Sequence, residues 1–306
     1  MRVLVTGVGG QLGHDVMNEL ARRGYDGIGT DLAPVYSGVA DGSPVTKMPY
    51  LALDLTDEEA VTRTVRAIAP DAVVHCAAWT AVDAAEDPAV YEKVMKVNGA
   101  APGFLASACE TVGAKILYLS TDYIFDGQGE RPWQPDDRNF APLNVYGQSK
   151  LAGEQAVAAA TDRFFIVRIA WVFGKNGKNF IRTMLGLADR FPELRVVNDQ
   201  IGTPTYTFDL ARLLVDMLET EKFGFYHATN EGGYISWYDF ACEIFRQAGK
   251  SVKVTPVTTA EYGFSKAARP FNSRLDKSKL REAGFTPLPD WRDALARYLE
   301  EMKELS

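Results

Sequence analysis

Tyr146 and Lys150 stand four residues apart in the stretch "NVYGQSK". At that spacing on a helix the two side chains share one face. A phenol beside an ammonium can have its pKa lowered, which makes it a proton donor near neutral pH. The same pair on a solvated helix face does no chemistry, and five residues do not separate the two readings. About 25 residues upstream, "YLSTDYIFDG" offers Thr121 and Asp122 at the end of an apolar run. A Thr121 hydroxyl there could donate to a substrate oxygen, Tyr146 could supply its proton, and Lys150 could tune the tyrosine while binding a ribose.

A second group of residues suggests what would sit beside them. "TGVGGQLGHD" breaks the spacing G-x-G-x-x-G at Leu12 but fits G-x-x-G-x-x-G at Gly7, Gly10 and Gly13. Glycines in such a turn let the backbone approach a pyrophosphate, which then lies at the positive end of the following helix. Asp31 closes the next strand 18 residues after Gly13. A carboxylate there can accept from both ribose hydroxyls of an adenosine and would repel a 2'-phosphate. This context favours dinucleotide binding over a glycine-rich turn that binds nothing. Ala77 and Ala78 are small enough for a flat cofactor to cross, or simply for tight packing. Asp54 could accept from an adenine amine or cap a helix, and Asn98 lies mid-helix as either a backbone brace or an exposed amide.

Positioning these groups requires elements that alternate. "RVLVTG", "YDGIGTD", "YLALDL", "DAVVHCAA", "KILYLSTDYIF" and "FFIVRIAWVFG" read as short strands, with helix-period segments between them. Their near-continuous apolar runs predict a parallel sheet buried on both faces. The expected fold is therefore α/β: a doubly wound, Rossmann-like parallel sheet with a smaller, interwoven C-terminal substrate-binding lobe. Residues 1–170 are expected to form the dinucleotide-binding domain, with 205–230 returning to it, and 171–204 and 231–306 the lobe. In that topology Thr121, Tyr146, Lys150 and the glycine turn all reach one sheet edge, where ligands of doubly wound folds bind. A cofactor cradle at that edge tips the Tyr–Lys pair toward chemistry.

The bulk composition limits the alternatives. The chain has 306 residues, 46% of them hydrophobic, and a formal net charge of -7, which argues against a polyanion-binding protein. No nucleic-acid partner is expected. Cys76, Cys109 and Cys242 are odd in number and widely spaced, as reduced thiols would be, and the three histidines show no zinc spacing. The opening run enters a strand directly and no run reaches membrane-spanning length. A cytoplasmic location without membrane contact is expected.

The chain resembles the extended short-chain dehydrogenases/reductases in "TGVGGQLG" and "YGQSK". Within that superfamily it is most similar to the dTDP-4-dehydrorhamnose reductase family in "AAWTAVDAAED", "STDYIFDG", "WVFG", "VVNDQIGTPTYTFDLA" and "ARPFNSRLD". The resemblance implies an oxidoreductase that uses NADH or NADPH to reduce a nucleotide-linked 4-keto-6-deoxy sugar, dTDP-4-dehydro-L-rhamnose, to dTDP-L-rhamnose. It implies that Thr121, Tyr146 and Lys150 form the catalytic set. It places Gly10, Gln11, Leu12, Asp31, Asp54, Leu55, Ala78, Trp79 and Thr80 on the cofactor, and Val82, Asp122 and Trp171 on the sugar nucleotide. Gln200, Thr203, Arg269 and Arg274 are candidate partners for its base and diphosphate. Family members are often dimers with a metal at the interface. A homodimer is compatible with this chain, and no motif here carries the metal over. The segment 32–49 is longer than in many relatives. The alternatives are a reductase or epimerase of another nucleotide sugar, and a non-catalytic regulatory subunit resembling a methionine adenosyltransferase partner, for which the catalytic set would be eroded.

Overall fold

Val3, Leu4 and Val5 in β1 (Arg2–Thr6) are all fully buried. Successive side chains of a strand face opposite sides of its sheet, so both faces must be covered. Val3 and Val5 pack with α1 (Gln11–Arg22) and the helix Thr207–Leu218. Leu4 packs on the other side, with α2 (Glu58–Ile68) and the elements that follow it. The computed structural model describes residues 1–303.

The sheet has seven parallel strands. They are β1, β2 (Asp26–Asp31), β3 (Tyr50–Ala52), β4 (Ala72–His75), β5 (Lys115–Thr121), β6 (Phe164–Ile169) and the strand Gly224–His227, in the spatial order β3-β2-β1-β4-β5-β6 and then Gly224–His227. Between β4 and β5 the chain forms the single turn α3 (Val82–Ala85), then α4 (Tyr91–Met95), which passes through a wide π turn (Lys96–Ala100) into α5 (Ala101–Val112). The long helix α6 (Val145–Ala160) joins β5 to β6. Strand order reverses between β1 and β4, which opens a crevice at the carboxyl ends of the strands. Gly7, Asp31, Ala78, Thr121 and the first turn of α6 all follow from that edge. This is the doubly wound architecture that the strand pattern predicts.

A second core holds the lobe together. Phe173, Phe240, Trp291 and Tyr298 are buried in one aromatic cluster, flanked by the parallel pair Glu193–Val197 and Lys253–Val257. Leu280, Phe285 and Leu288, expected in the lobe, join the core of the large sheet. Phe285 meets Tyr226 of the outermost strand edge-on, with 5.8 Å between ring centroids. Apolar side chains of that strand need cover, and the nearest chain is this one.

Candidate active site

The first turn of α6 is fixed by three groups from different places. Asn144 caps it, its Oδ1 accepting from the Gly147 N–H at 2.8 Å, and its Nδ2 donates to the Ala268 carbonyl at 2.8 Å. Glu86 accepts from the Val145 N–H at 2.8 Å. A Cβ on Gly147 would fall 2.3 Å from the Tyr123 carbonyl oxygen, so only glycine lets the helix approach the end of β5 this closely. Tyr146 consequently lies edge-on to Tyr123, 5.6 Å between centroids, with its phenol at the Thr121 hydroxyl. Thr121, Tyr146 and Lys150 are brought together.

Their electrostatics differ from the sequence expectation. Lys150 is buried; its Nζ donates to the Leu119 carbonyl at 2.6 Å and sits 4.2 Å from the centre of the Tyr118 ring. Burial lowers its pKa to about 7, against the opposing pull of Glu154. Tyr146 is not pushed down. Burial raises its pKa, a hydrogen bond with Thr121 opposes that, and the nearby Asp122 charge adds to the rise. The Lys150 ammonium is turned to the Leu119 carbonyl. Asp122 is 2% exposed: Oδ1 accepts from Thr121 Oγ1 at 3.0 Å, and Oδ2 from Ser273 Oγ.

The glycine turn has the shape of a cradle. Gly7 has φ +71°, and a Cβ there would lie 2.6 Å from the Ala77 nitrogen; one on Gly13 would lie 2.3 Å from the Gly7 carbonyl oxygen. Both glycines are required by backbone packing. Gly10 differs, because a Cβ there would meet only the Gly7 oxygen, at 3.3 Å, and otherwise project into open space. It is also the N-cap of α1 and offers no capping side chain, so the first N–H groups of the helix are open to an anion. Leu12 is buried in the first core, which leaves only its backbone to face a ligand. Gln11 Oε1 accepts from Asn179 Nδ2 at 3.0 Å. Asn176 Nδ2 donates to the Gly9 carbonyl at 3.0 Å, so the lobe closes over the turn.

Asp31 is held beside the turn, accepting from the Gly9 N–H at 2.9 Å and the Leu32 N–H at 2.8 Å. Asp54 is exposed, and one of its oxygens accepts from both Thr56 N and Thr56 Oγ1, which closes a turn ahead of α2. An open depression of about 1140 Å³ runs from Asp54 to Arg66 and Lys96 without including Tyr146 or Lys150. Leu55 is half-buried against the second core. Ala78, Trp79 and Thr80 follow β4, and Asn98 grips the Trp79 backbone at both N–H (2.8 Å) and carbonyl (3.0 Å) while reaching Ser149 Oγ at 3.0 Å. Asn98 is therefore a brace, set in the π turn. Such turns often mark functional positions, but nothing in the sequence announces one.

On the lobe side, Trp171 has φ +50°, a left-handed conformation costly for a bulky residue. Its ring stacks on Trp237 at 3.7 Å, and a Cβ on Gly202 would fall 2.9 Å from it. Val82 opens α3, half-buried. Gln200 Nε2 donates to Thr259 Oγ1 at 3.0 Å, and Thr203 Oγ1 to the Gly233 carbonyl at 2.9 Å. Arg269 grips Asp83 with both prongs (3.0 and 2.8 Å) and holds that carboxyl down at about 2. Arg274 reaches Asn272 Oδ1 at 3.1 Å, which leaves most of its five N–H donors without a side-chain acceptor among the described residues. Among the described residues, no helix is long and apolar enough to cross a membrane, and no group of three or more His, Cys, Asp or Glu is arranged to hold a metal.

The chain matches the family model described as the RmlD substrate binding domain over residues 1–304. A dTDP-4-dehydrorhamnose reductase from Streptomyces griseus is 42% identical over 302 residues, covering 96% of this chain and 91% of that protein. A spore coat polysaccharide biosynthesis protein, SpsK, from Bacillus subtilis is 38% identical over 300 residues, covering 98% and 97%. Among solved structures, a dTDP-4-dehydrorhamnose reductase from Bacillus anthracis in complex with NADP superposes with a TM-score of 0.87 at 38% identity, covering 98% of this chain and 99% of that one.

Proposed function

The chain belongs to the RmlD substrate binding domain family, and from that premise we propose that it is an NAD(P)H-dependent reductase converting dTDP-4-dehydro-L-rhamnose to dTDP-L-rhamnose. The observation that carries the reading is the meeting of Thr121, Tyr146 and Lys150 at the sheet edge that also holds an uncapped glycine turn. The turn fits a dinucleotide: a Gly10 Cβ would occupy the space a pyrophosphate needs. The main-chain N–H groups of Gly10, Gln11, Leu12 and Gly13 would hold the pyrophosphate, with Gly7 giving the turn its shape. Asp31 would take the adenosine ribose, Asp54 and Leu55 the adenine, and Ala78, Trp79 and Thr80 the path across the sheet edge. Lys150 would bind the nicotinamide ribose.

A bound reduced nicotinamide supplies the hydride for the sugar C4 carbonyl. Tyr146 gives its phenolic proton to the oxygen as negative charge develops there, and Thr121 steadies the resulting phenolate. The burial that raises the Tyr146 pKa keeps the proton on the phenol until a stronger base, the nascent alkoxide, appears. Val82, Trp171 and Arg274 would line the sugar-nucleotide side, whereas Asp122 and Gln200 would act there only through the residues they bind. The enzyme would work in the cytoplasm, and a homodimer remains compatible with it. Incubating the purified protein with dTDP-4-dehydro-L-rhamnose and NADH tests the reading: NADH should fall in step with the appearance of dTDP-L-rhamnose. An epimerase would retain NAD and consume no NADH, and a regulatory subunit would turn over neither.

Cofactor preference follows from Asp31. Its carboxylate is fixed at the turn by two N–H groups, and Leu32 follows it, so no adjacent cation offsets its repulsion of a 2'-phosphate. NADH is expected to be used at least as well as NADPH. A kcat/KM for NADPH about tenfold or more above that for NADH would contradict the assignment of Asp31.

Arg274 provides a second test. Its open donors can pair with phosphate oxygens through a planar fork. Arg274→Ala is expected to raise the KM for the sugar nucleotide by on the order of tenfold or more, the scale of a charge-assisted hydrogen bond, with NADH affinity unchanged. Equal loss of both affinities in a titration would indicate a folding defect instead.

A further inference from the structure

Ser273 sits in the C-terminal loop, 151 residues from the strand end it touches. We propose that Ser273 is a positioning residue: it holds the Asp122 carboxylate, and through it the Thr121 hydroxyl, in register with Tyr146. The inference rests on the reductase reading above and adds a member to its machinery.

Three observations carry it. Ser273, Asp122 and Thr121 are all buried, and their hydroxyl and carboxyl groups form one chain, Ser273 Oγ to Asp122 Oδ2 and Asp122 Oδ1 to Thr121 Oγ1. That chain ends at the Tyr146 phenol. The frame behind Ser273 is stitched from both sides: its N–H donates to the Ile201 carbonyl at 2.8 Å, the Asn272 N–H to the Gly127 carbonyl at 2.8 Å, and the Trp133 N–H to the Arg274 carbonyl at 2.9 Å. Asn272 Nδ2 adds bonds to the Gln128 and Arg131 carbonyls. These bonds fix the main chain at Ser273, and its Oγ is held by the bond to Asp122. Its Cβ also lies 3.1 Å from where a Gly202 Cβ would be, beside the Trp171 ring, so the same residue borders the sugar side.

The chemistry of the chain gives it a role. Thr121 has one hydroxyl proton. It also accepts from the Tyr123 N–H at 3.2 Å, so its proton is shared between Asp122 and Tyr146. An Asp122 carboxylate held by Ser273 draws that proton toward itself, which leaves the Thr121 oxygen facing the phenol while Tyr146 is neutral. Once Tyr146 has given up its proton, the Thr121 proton can swing to the phenolate. Ser273 sets the balance because its donation stabilises the Asp122 anion, against the burial that raises that carboxyl to about 6. The other titratable groups facing Asp122 are Tyr123 on the same turn and Tyr146 from α6. Arg269 and Asp83 act on Tyr123 from the C-terminal loop and α3, and Arg274 is turned to Asn272.

Steady-state kinetics of Ser273→Ala, Asp122→Asn and the double variant test this, with NADH titration as the check on folding. Ser273→Ala is expected to lower kcat about ten- to a hundredfold, the scale of a misplaced reacting group, with KM and NADH affinity little changed. The acidic limb of its kcat profile should move to higher pH, because Asp122 loses a donor to its charged form, and Asp122→Asn should abolish that limb. Adding Ser273→Ala to Asp122→Asn should change kcat by less than about twofold, since the two act through one path. Ser273→Cys keeps the volume with a weak donor and should fall with the alanine variant, which covers the case in which alanine disturbs the loop. An active parent whose alanine variant keeps its kcat and pH profile would overturn the inference, as would full additivity in the double variant. An inactive parent would instead overturn the reductase reading.

Discussion

Replacing Tyr146 with phenylalanine is expected to cut turnover by about two to four decades, the usual worth of a positioned proton donor. The substitution removes one oxygen at nearly constant volume. The edge contact with Tyr123 should persist, and so should the cap made by Asn144 and Glu86. Fold and cofactor affinity should therefore survive while rate is lost. Lys150→Met should lose rate and cofactor affinity together, because Lys150 is the only cation placed at the nicotinamide end in the proposed arrangement. The contrast separates the roles: NADH titration should distinguish the two variants where kcat alone would not. If the pair were merely a solvated helix face, both variants would stay within about 0.5 kcal/mol of the parent. A phenylalanine variant retaining most of its activity with dTDP-4-dehydro-L-rhamnose would falsify the proton-donor assignment.

The legibility of this site in the sequence follows from the range of the interactions involved. Glycine spacing and strand–helix alternation are local, and they predict the sheet, the turn at Gly7–Gly13 and the shared edge of Thr121 and Tyr146. The Tyr146–Lys150 spacing puts both residues on one helix but misleads about their coupling, because spacing carries no information on where a four-carbon side chain ends. Lys150 finds the Leu119 carbonyl, 31 residues away. The resemblance implies a place for Asp122 on the sugar-nucleotide side, but no local pattern announces that Ser273, 151 residues away, donates to its second oxygen. Asn98 reads as ambiguous because its partners, Trp79 and Ser149, lie on other elements. Gln200 and Arg269 look available for the same reason, and each is taken by a residue about 60 or more positions away, Thr259 and Asp83. Polar residues in loops advertise hydrogen-bonding capacity; only the tertiary fold decides who uses it.

Arg168 shows the same point in the core, with a larger energetic consequence. In "FFIVRIAWVFG" it interrupts an apolar strand, and it is 0% exposed in β6. Its guanidinium makes two 2.9 Å bonds to Glu154, a third of 3.0 Å to the Pro135 carbonyl, and lies over the Phe125, Phe140 and Phe225 rings. Two buried charges this well matched add little over an apolar pair, but removing one strands the other. Glu154→Ala is therefore expected to cost about 3–5 kcal/mol and to lower Tm by on the order of 10 °C. The double change Glu154→Leu with Arg168→Met should recover most of that loss. Glu154 also lies four residues beyond Lys150 on α6, and its charge raises the Lys150 pKa against burial. In the double variant that support is absent, so the Lys150 pKa should fall further and its amine carry less charge at neutral pH than in the parent. Stability would then return without full activity: the restored protein should melt near the parent yet bind NADH more weakly than the parent does at pH 7, with the gap narrowing at lower pH. A double variant that regained both stability and parental NADH affinity at neutral pH would show that Glu154 serves the fold alone.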